Sequence, residues 1–277
     1  MGYPSTRSIL YLSLGALSLA QLVIFPSLTY LYSPQLGLAA AELSVVWLLG
    51  LFIRHRRLRT EDLLLLNATP LPTLGLTLPV AISASLLIAE VDLFFGELMA
   101  AGGLPLPLYF QRSLFEIQLV RDLPELGLGV LAVVVLPGIC EELFFRGFVL
   151  TGLCARHGPR TAVLGPALIF ALAHFNPWQF PALFLFGAFL GLLVYWSHSI
   201  YPAILAHTVN NLLSFAGVNL KAYWGLEILD YGQHLPLPAL ISALGVLGMG
   251  LLLLRRQPPL MPLLAGPWTP LLKPPLI

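Results

Sequence analysis

Long apolar runs, separated by short polar or charged connections, make up most of this 277-residue chain. A helix that crosses a bilayer needs about 20 mostly apolar residues, because every backbone polar group must be satisfied within the helix. The pattern therefore predicts an all-α polytopic membrane protein with about eight transmembrane helices. The runs lie approximately at 8–32, 36–53, 74–98, 125–154, 161–177, 179–198, 200–218 and 237–254.

Three segments need a separate interpretation: the first apolar run, residues 101–124 and the C-terminal tail. The apolar run after Arg7 continues to about Tyr32, which is too long for a signal peptide, so we expect an uncleaved first span. Residues 101–124 mix prolines with charged residues and predict a loop plus an interfacial amphipathic helix. Residues 257–277 contain seven prolines, and we expect this tail to lie along the membrane surface or to be disordered.

The composition agrees with membrane residence and excludes one class of partner. Hydrophobic residues make up 58% of the chain and charged residues 10%, against roughly a quarter charged in a soluble domain. No basic stripe occurs outside the short clusters that flank the apolar runs, so we expect no nucleic acid as a partner.

The basic residues predict how the chain crosses the membrane. With eight spans, ten basic residues fall on one side and three on the other. Because an excess of Lys and Arg marks the cytoplasmic side, both termini are predicted to be cytoplasmic. In a bacterial source this multi-pass protein would lie in the plasma membrane. The larger group is Arg7, Arg54, Arg56, Arg57, Arg59, Arg156, Arg160, Arg255, Arg256 and Lys273, and the smaller is Arg112, Arg121 and Lys221.

Three charged residues lie in the interior of the fourth run, and such residues are costly in a bilayer unless they are paired or face a polar cavity. Glu142 and Arg146 are four residues apart and can form an ion pair on one helix face. Glu141 points about 100° away from Glu142 and is left free to act elsewhere. A buried Glu–Arg pair that only holds helices together would explain Glu142 and Arg146, but not Glu141.

Polar residues also occur in the fifth and seventh runs. His174 ends the fifth run, where a lone histidine is more often a packed or interfacial residue than a catalytic one. His207 and Asn211 are four residues apart in the seventh run, so both can face one ligand. Hydrogen bonding between neighbouring helices would also explain this pair.

Membrane depth connects these residues. Glu141 lies about 16 residues before the turn at 157–158 and His174 about 16 residues after it, so two antiparallel helices place both roughly 20 Å or more from the cytoplasmic end. His207 and Asn211 lie roughly 10–17 Å from the start of their span near residue 200. Four functional groups at a similar depth predict a site inside the bilayer.

Three short motifs on three separate spans carry a resemblance to a known family. They are Glu141-Glu142-x-x-x-Arg146, Phe170-x-x-x-His174 and His207-x-x-x-Asn211. Together they resemble the CAAX-protease and bacteriocin-processing family of intramembrane glutamic-type endopeptidases, over roughly residues 125–218. The resemblance implies eight membrane helices around a polar cavity. It also divides the chain into helices one to three with the amphipathic loop (1–124), a catalytic core (125–218), and the last helix with the tail (219–277).

The resemblance also implies roles for the polar residues. Peptide hydrolysis needs an activated water and hydrogen-bond donors for the oxyanion. Glu141 would be the general base, with His174 orienting the water, and His207 and Asn211 would donate to the oxyanion. Glu142 would tune Glu141. The expected catalytic residues are therefore Glu141, Glu142, His174, His207 and Asn211, with structural support from Arg146.

The cofactor and the substrate follow from this mechanism only in part. We expect no cofactor, although one Glu and two His could instead supply three zinc ligands and leave a fourth position open. The chain has no His-Glu-x-x-His motif. The expected substrate is a membrane-associated protein or peptide. The motifs specify the reaction but not whether the substrate is prenylated.

Alternatives from other functional classes stay open. A non-catalytic membrane scaffold or immunity protein could keep the family fold, although it would not need every motif residue. Glu42, Glu90 and Asp92 favour an ion-coupled transporter. These acids lie towards the non-cytoplasmic ends of spans two and three, where we expect water to reach them, and no inverted repeat accompanies them. Cys140 has mostly apolar neighbours, which favours packing over a nucleophilic role.

Overall fold

The computed structural model describes residues 3–226 and 233–257, which form helices and contain no strand. The predicted all-α polytopic membrane class is confirmed. Within the described residues, six helices (α1, α2, α4, α6, α8 and α10) are long and apolar enough to cross a membrane. The helices are α1 (Thr6–Leu31), α2 (Pro34–Arg56), α3 (Thr60–Leu64), α4 (Leu71–Ala101), α5 (Leu108–Glu116), α6 (Leu123–His157), α7 (Pro159–Ala173), α8 (Phe180–Ser197), α9 (Tyr201–Trp224) and α10 (Leu237–Arg256).

The other two predicted spans correspond to α7 and α9. α7 has 15 residues and ends at Ala173, before the predicted limit at residue 177. α9 has 24 residues, but polar side chains interrupt its apolar surface. The count of eight spans and the cytoplasmic position of the termini therefore stay predictions. α5 falls within the predicted amphipathic segment, and the predicted tail lies, beyond Gln257, outside the described residues.

α6 contains two π-helical segments, and its acidic pair lies between them. Val130–Val135 precedes Pro137, which lacks an N–H and cannot continue the regular hydrogen-bond ladder. Leu143–Val149 follows Glu142 directly. Because the i→i+5 hydrogen bonds of a π-helical turn widen the helix, they change the direction of the side chains that follow, and such turns are frequent at functional sites. The two segments therefore help to set where the acidic pair points.

One end of the bundle gathers the basic connections. Arg156, near the end of α6, donates from Nε to the Pro4 carbonyl (2.9 Å) and from Nη2 to the Tyr3 carbonyl (3.0 Å). Burial, together with the nearby Asp62 carboxylate, raises the pKa of Tyr3 to about 12. The start of α1, the connection after α2 and the end of α6 therefore lie together, in agreement with the predicted grouping of basic residues.

At the opposite end, His234 joins α10 to α4 just before α10 begins. Its Nδ1 lies 2.9 Å from Oε2 of Glu90, and its Nε2 lies 3.3 Å from Oε2 of Glu97. Hydrogen bonds to Glu90 first, and then to Glu97, raise the pKa of His234 above its usual value. The imidazole of His234 therefore connects the start of α10 to α4.

We expect this contact to make stability depend on pH. A raised folded-state pKa stabilises the fold fully below the unfolded pKa of about 6.5, and the contribution is lost as pH rises through the folded pKa. The thermal midpoint in detergent should therefore fall as pH rises through that range, and His234→Gln should reduce the fall. His55→Gln, at an exposed position of α2, is the control. An unchanged pH dependence in His234→Gln would contradict the prediction.

Candidate active site

The acidic motif of α6 forms a fully buried ion pair. Arg146 donates from Nη1 to Oε1 of Glu142 at 2.8 Å, and both side chains are completely inaccessible. Arg146 also donates from Nη2 to the Gly187 carbonyl of α8 at 3.1 Å. The ion pair predicted from the four-residue spacing is therefore present, and it connects α6 to α8.

His207 of α9 joins this pair. Its Nδ1 lies 2.8 Å from Oε1 of Glu142, the same oxygen that accepts from Arg146. Because an ionised carboxylate can only accept, the proton lies on Nδ1 of His207. The other ring nitrogen, Nε2, then faces Glu141, whose Oε2 is 3.8 Å away. Glu142 thus holds His207 in one orientation beside Glu141.

A close approach of α6 and α9 makes this contact possible. A Cβ atom added to Gly138 would lie 2.4 Å from Oγ1 of Thr208 and 3.3 Å from its backbone nitrogen. Thr208 directly follows His207. Only a residue without a side chain fits between the two helices here, so Gly138 allows His207 to reach the acidic pair.

Gly138→Ala is therefore expected to destabilise the bundle by about 1–3 kcal/mol, because α6 and α9 must separate or Thr208 must move. The thermal midpoint in detergent measures this. Gly50→Ala is the matched control, since its Cβ would meet no atom within 4 Å. Adding Thr208→Ala to Gly138→Ala should recover part of the loss. Equal midpoints for Gly138→Ala and Gly50→Ala would contradict the argument.

Phe170, the first residue of the second motif, packs against three of the polar groups. Its ring centroid lies 4.6 Å from that of His174, 5.9 Å from that of His207 and 4.8 Å from the guanidinium carbon of Arg146. His174 donates from Nδ1 to the Phe170 carbonyl at 2.8 Å, so its Nε2 can accept a hydrogen bond when the ring is neutral. Phe170 thus holds both histidines near each other.

The structure does not join every predicted residue directly. Asn211 lies one helical turn after His207, and its Oδ1 accepts from Nδ2 of Asn210 at 3.3 Å. Within the described residues, no hydrogen bond or ion pair links Asn211 or His174 to Glu141. Glu141, Glu142, Arg146 and His207 form the direct cluster. His174 contacts Phe170, which in turn packs against the cluster. Asn211 is near the cluster because it lies one helical turn after His207 on α9.

Glu42 of α2 was not predicted to belong to this cluster. α2 packs against the part of α6 that carries the acidic pair, and the carboxyl groups of Glu42 and Glu141 are in hydrogen-bonding contact. Only 4% of Glu42 is exposed. The expectation that water reaches Glu42 is therefore wrong, because hydropathy along α2 indicates depth but not the helix that each side chain faces.

The other two acids of the transporter alternative lie elsewhere. Glu90 contacts His234, as described above, and Asp92 accepts a hydrogen bond from Nε2 of Gln179 at 3.1 Å. No signal along the sequence distinguishes Glu42 from these acids, because all three are single carboxylates in apolar helices.

Burial separates the roles that the two adjacent glutamates can have. The Glu142 side chain is inaccessible, whereas 15% of the Glu141 side chain is exposed. Among the described residues, no N–H or hydroxyl donor reaches the buried Oε2 atom of Glu141 or of Glu142, and Nε of Arg146 also has no partner. Buried polar atoms are seldom left without partners outside functional sites. The exposed fraction alone distinguishes the two acids, and it makes Glu141 the one that a water molecule or a substrate can approach.

Two cavities lie near the cluster, and their linings contain neighbours of the candidate catalytic residues but none of those residues themselves. A polar one of about 310 Å³ lies between α4, α5, α8 and α9, and its lining includes Phe186, whose ring centroid is 5.2 Å from that of His207. A mostly apolar one of about 820 Å³ lies between α1, α4 and α7 and reaches Ala173 and Phe175, on either side of His174. Each cavity is therefore one residue away from a histidine: the smaller is separated from His207 by Phe186, and the larger adjoins the neighbours of His174 along the chain.

The described residues contain no group of three or more His, Cys, Asp or Glu side chains arranged to hold a metal ion. Oε1 of Glu142 and Nδ1 of His207 already bond to each other, so neither is free as a ligand. The expected lack of a cofactor stays a prediction.

A comparison with protein families matches residues 124–213 to the model described as type II CAAX prenyl endopeptidase, Rce1-like. The matched segment runs from the start of α6 into α9, and it contains all three motifs and the whole predicted catalytic set. No curated protein and no solved structure matches the chain. Residues 124–213 of this integral membrane protein are therefore similar to the Rce1-like type II CAAX prenyl endopeptidase domain.

Proposed function

We propose that this protein hydrolyses a peptide bond of a membrane-associated protein or peptide, using a water molecule that Glu141 activates. One observation carries the proposal. Glu141 is the accessible member of an otherwise sealed charge cluster, and its Oε2 lies 3.8 Å from Nε2 of His207. A general base must reach both the water and the substrate, and of the two adjacent glutamates only Glu141 is exposed.

In the first step Glu141 removes a proton from the water while the water oxygen bonds to the carbonyl carbon of the substrate. His174 orients this water. The Nδ1–H group of His174 is held by the Phe170 carbonyl, so Nε2 accepts the second hydrogen of the water. The carbonyl oxygen then carries the negative charge of a tetrahedral intermediate.

His207 and Asn211 stabilise that charge. In its protonated form His207 keeps its Nδ1–H bond to Glu142 and donates from Nε2 to the oxyanion, and a charge-assisted hydrogen bond of this kind is among the stronger ones. Asn211 lies on the same face of α9, and its Nδ2 group makes no hydrogen bond to another described residue. Glu142 and Arg146 hold the donors in place before the reaction, which avoids reorganisation.

In the second step the intermediate collapses and the C–N bond breaks. Glu141 returns its proton to the leaving nitrogen, so the products are a carboxylic acid, which then loses its proton, and an amine, and the base is regenerated. The apolar cavity beside His174 would hold the membrane-embedded part of the substrate, and the polar cavity beside Phe186 its polar part. In a bacterial cell the reaction would take place in the plasma membrane.

The proposal is tested by replacing Glu141 and comparing membrane proteomes for an uncleaved precursor that accumulates. A non-catalytic scaffold would show no such precursor. A zinc protease would show it too, but would lose activity in strong chelators and regain it with zinc. A transporter would instead respond in a symport assay with ion gradients. Two of the acids that would bind ions in a transporter already contact other side chains. Glu42 contacts Glu141, and Asp92 contacts Gln179.

A further inference from the structure

We propose that Glu42 is a positioning residue, which donates a hydrogen bond from a protonated carboxyl group to the Glu141 carboxylate and holds it towards His207. The inference rests on the proposed role of Glu141 as general base. Glu42 lies on α2, outside the matched segment 124–213, and none of the three motifs includes it.

The first support is burial and contact. Only 4% of Glu42 is exposed, and its carboxyl group is in hydrogen-bonding contact with that of Glu141. Ala41 and Val45 are buried as well, with 1% and 6% exposed, so this face of α2 is covered by the bundle. A buried carboxyl group without a hydrogen bond is costly, and Glu141 is the partner that the structure offers.

The second support is the count of charges around the two acids. Two carboxylates in contact cannot both be ionised, so the pair shares one proton. Glu141 has a permanent cation near it, because Arg146 is close enough to feel its charge. Nε2 of His207 also lies 3.8 Å from Oε2 of Glu141. Glu42 forms no ion pair with a cation in the described part of the chain and is the more buried of the two. The negative charge therefore stays on Glu141 and the proton on Glu42.

The third support is the unfilled position on Glu141. No N–H or hydroxyl donor among the described residues reaches its Oε2, yet a general base must be held in one orientation. An O–H donor from α2 supplies this restraint without neutralising the base. Without the donor the carboxylate can rotate away from the water, so fewer bound substrates meet a correctly placed base.

The test compares Glu42→Leu with Glu42→Gln in the purified full-length protein. The amide of Gln still donates to Glu141, whereas Leu does not. We expect Glu42→Leu to lose about 10- to 100-fold in kcat, the effect of removing a hydrogen bond to a charged group. KM should change little, and Glu42→Gln should keep most of the activity. Glu97→Gln, at a 58% exposed side chain of α4, is the matched control.

Thermal midpoints in detergent separate this role from simple packing. Leu fills a similar volume without burying a polar group, so Glu42→Leu should be at least as stable as the wild type. A stable Glu42→Leu with wild-type kcat would overturn the proposal, and so would equal losses of kcat in Leu and Gln. If Glu42→Leu does not fold, Glu42→Met, with an unbranched side chain, is compared with Glu42→Gln instead.

Infrared spectroscopy tests the protonated pair without any substrate. At neutral pH the wild type should show the C=O stretch of a protonated carboxylic acid, which Glu42→Gln loses and Glu97→Gln keeps. No such loss in Glu42→Gln would overturn the inference. A loss of the band, with no proteolysis by any variant, would support the pair while removing the proposed function.

Discussion

Glu141→Gln is expected to lower kcat/KM for peptide-bond hydrolysis by about 10²- to 10⁴-fold, the usual contribution of a general base. Gln keeps the size of the side chain and can still face His207, but it cannot take a proton from water. The rate is measured on purified protein with the precursor found in the proteome comparison. Glu61→Gln is the control, since 80% of the Glu61 side chain is exposed at the basic end of the bundle.

The same variant should cause an uncleaved precursor to accumulate in membranes. Its folding is checked by the thermal midpoint, which should stay close to that of the wild type because Glu141 is outside the Glu142–Arg146 ion pair. If Glu141→Gln folds normally and cleaves the precursor at the wild-type rate, Glu141 is not the base. If purified wild type keeps its activity in strong chelators, the zinc alternative loses its support.

Arg146→Met is expected to destabilise the protein by about 3–5 kcal/mol, because it leaves the charge of Glu142 buried without its cation. Both side chains are completely inaccessible, so water cannot replace the lost partner. The contact with the Gly187 carbonyl of α8 is lost as well. Unfolding in mixed detergent micelles measures the free energy.

Two further variants show whether the buried charge is the cause. Arg59→Met removes two exposed ion pairs, with Glu61 at 3.5 Å and with Asp62 at 3.3 Å, and should cost at most about 1 kcal/mol. Glu142→Gln combined with Arg146→Met removes both charges but keeps an acceptor for Nδ1 of His207, so it should be more stable than Arg146→Met alone. A double variant as unstable as the single one would show that packing, and not charge, is responsible.

Much of the fold and part of the site could be predicted from the sequence. Apolar length predicts membrane helices, because the bilayer core leaves few other ways to satisfy the backbone. The spacing of Glu142 and Arg146 predicted their ion pair, since residues four apart share a helix face. The order of the three motifs also indicated the family whose model matches the chain. All three motifs lie within the matched residues 124–213.

The contacts between helices were decided only by the tertiary structure. The sequence by itself determined which residues lie in apolar helices, because hydropathy depends on position along one helix. The membrane depths that follow from it stay predictions. The sequence did not determine which helix each side chain faces, because this depends on the close approach at Gly138 and on the packing of α2 against α6. That packing turned Glu42 from an expected water-accessible acid into a buried neighbour of Glu141.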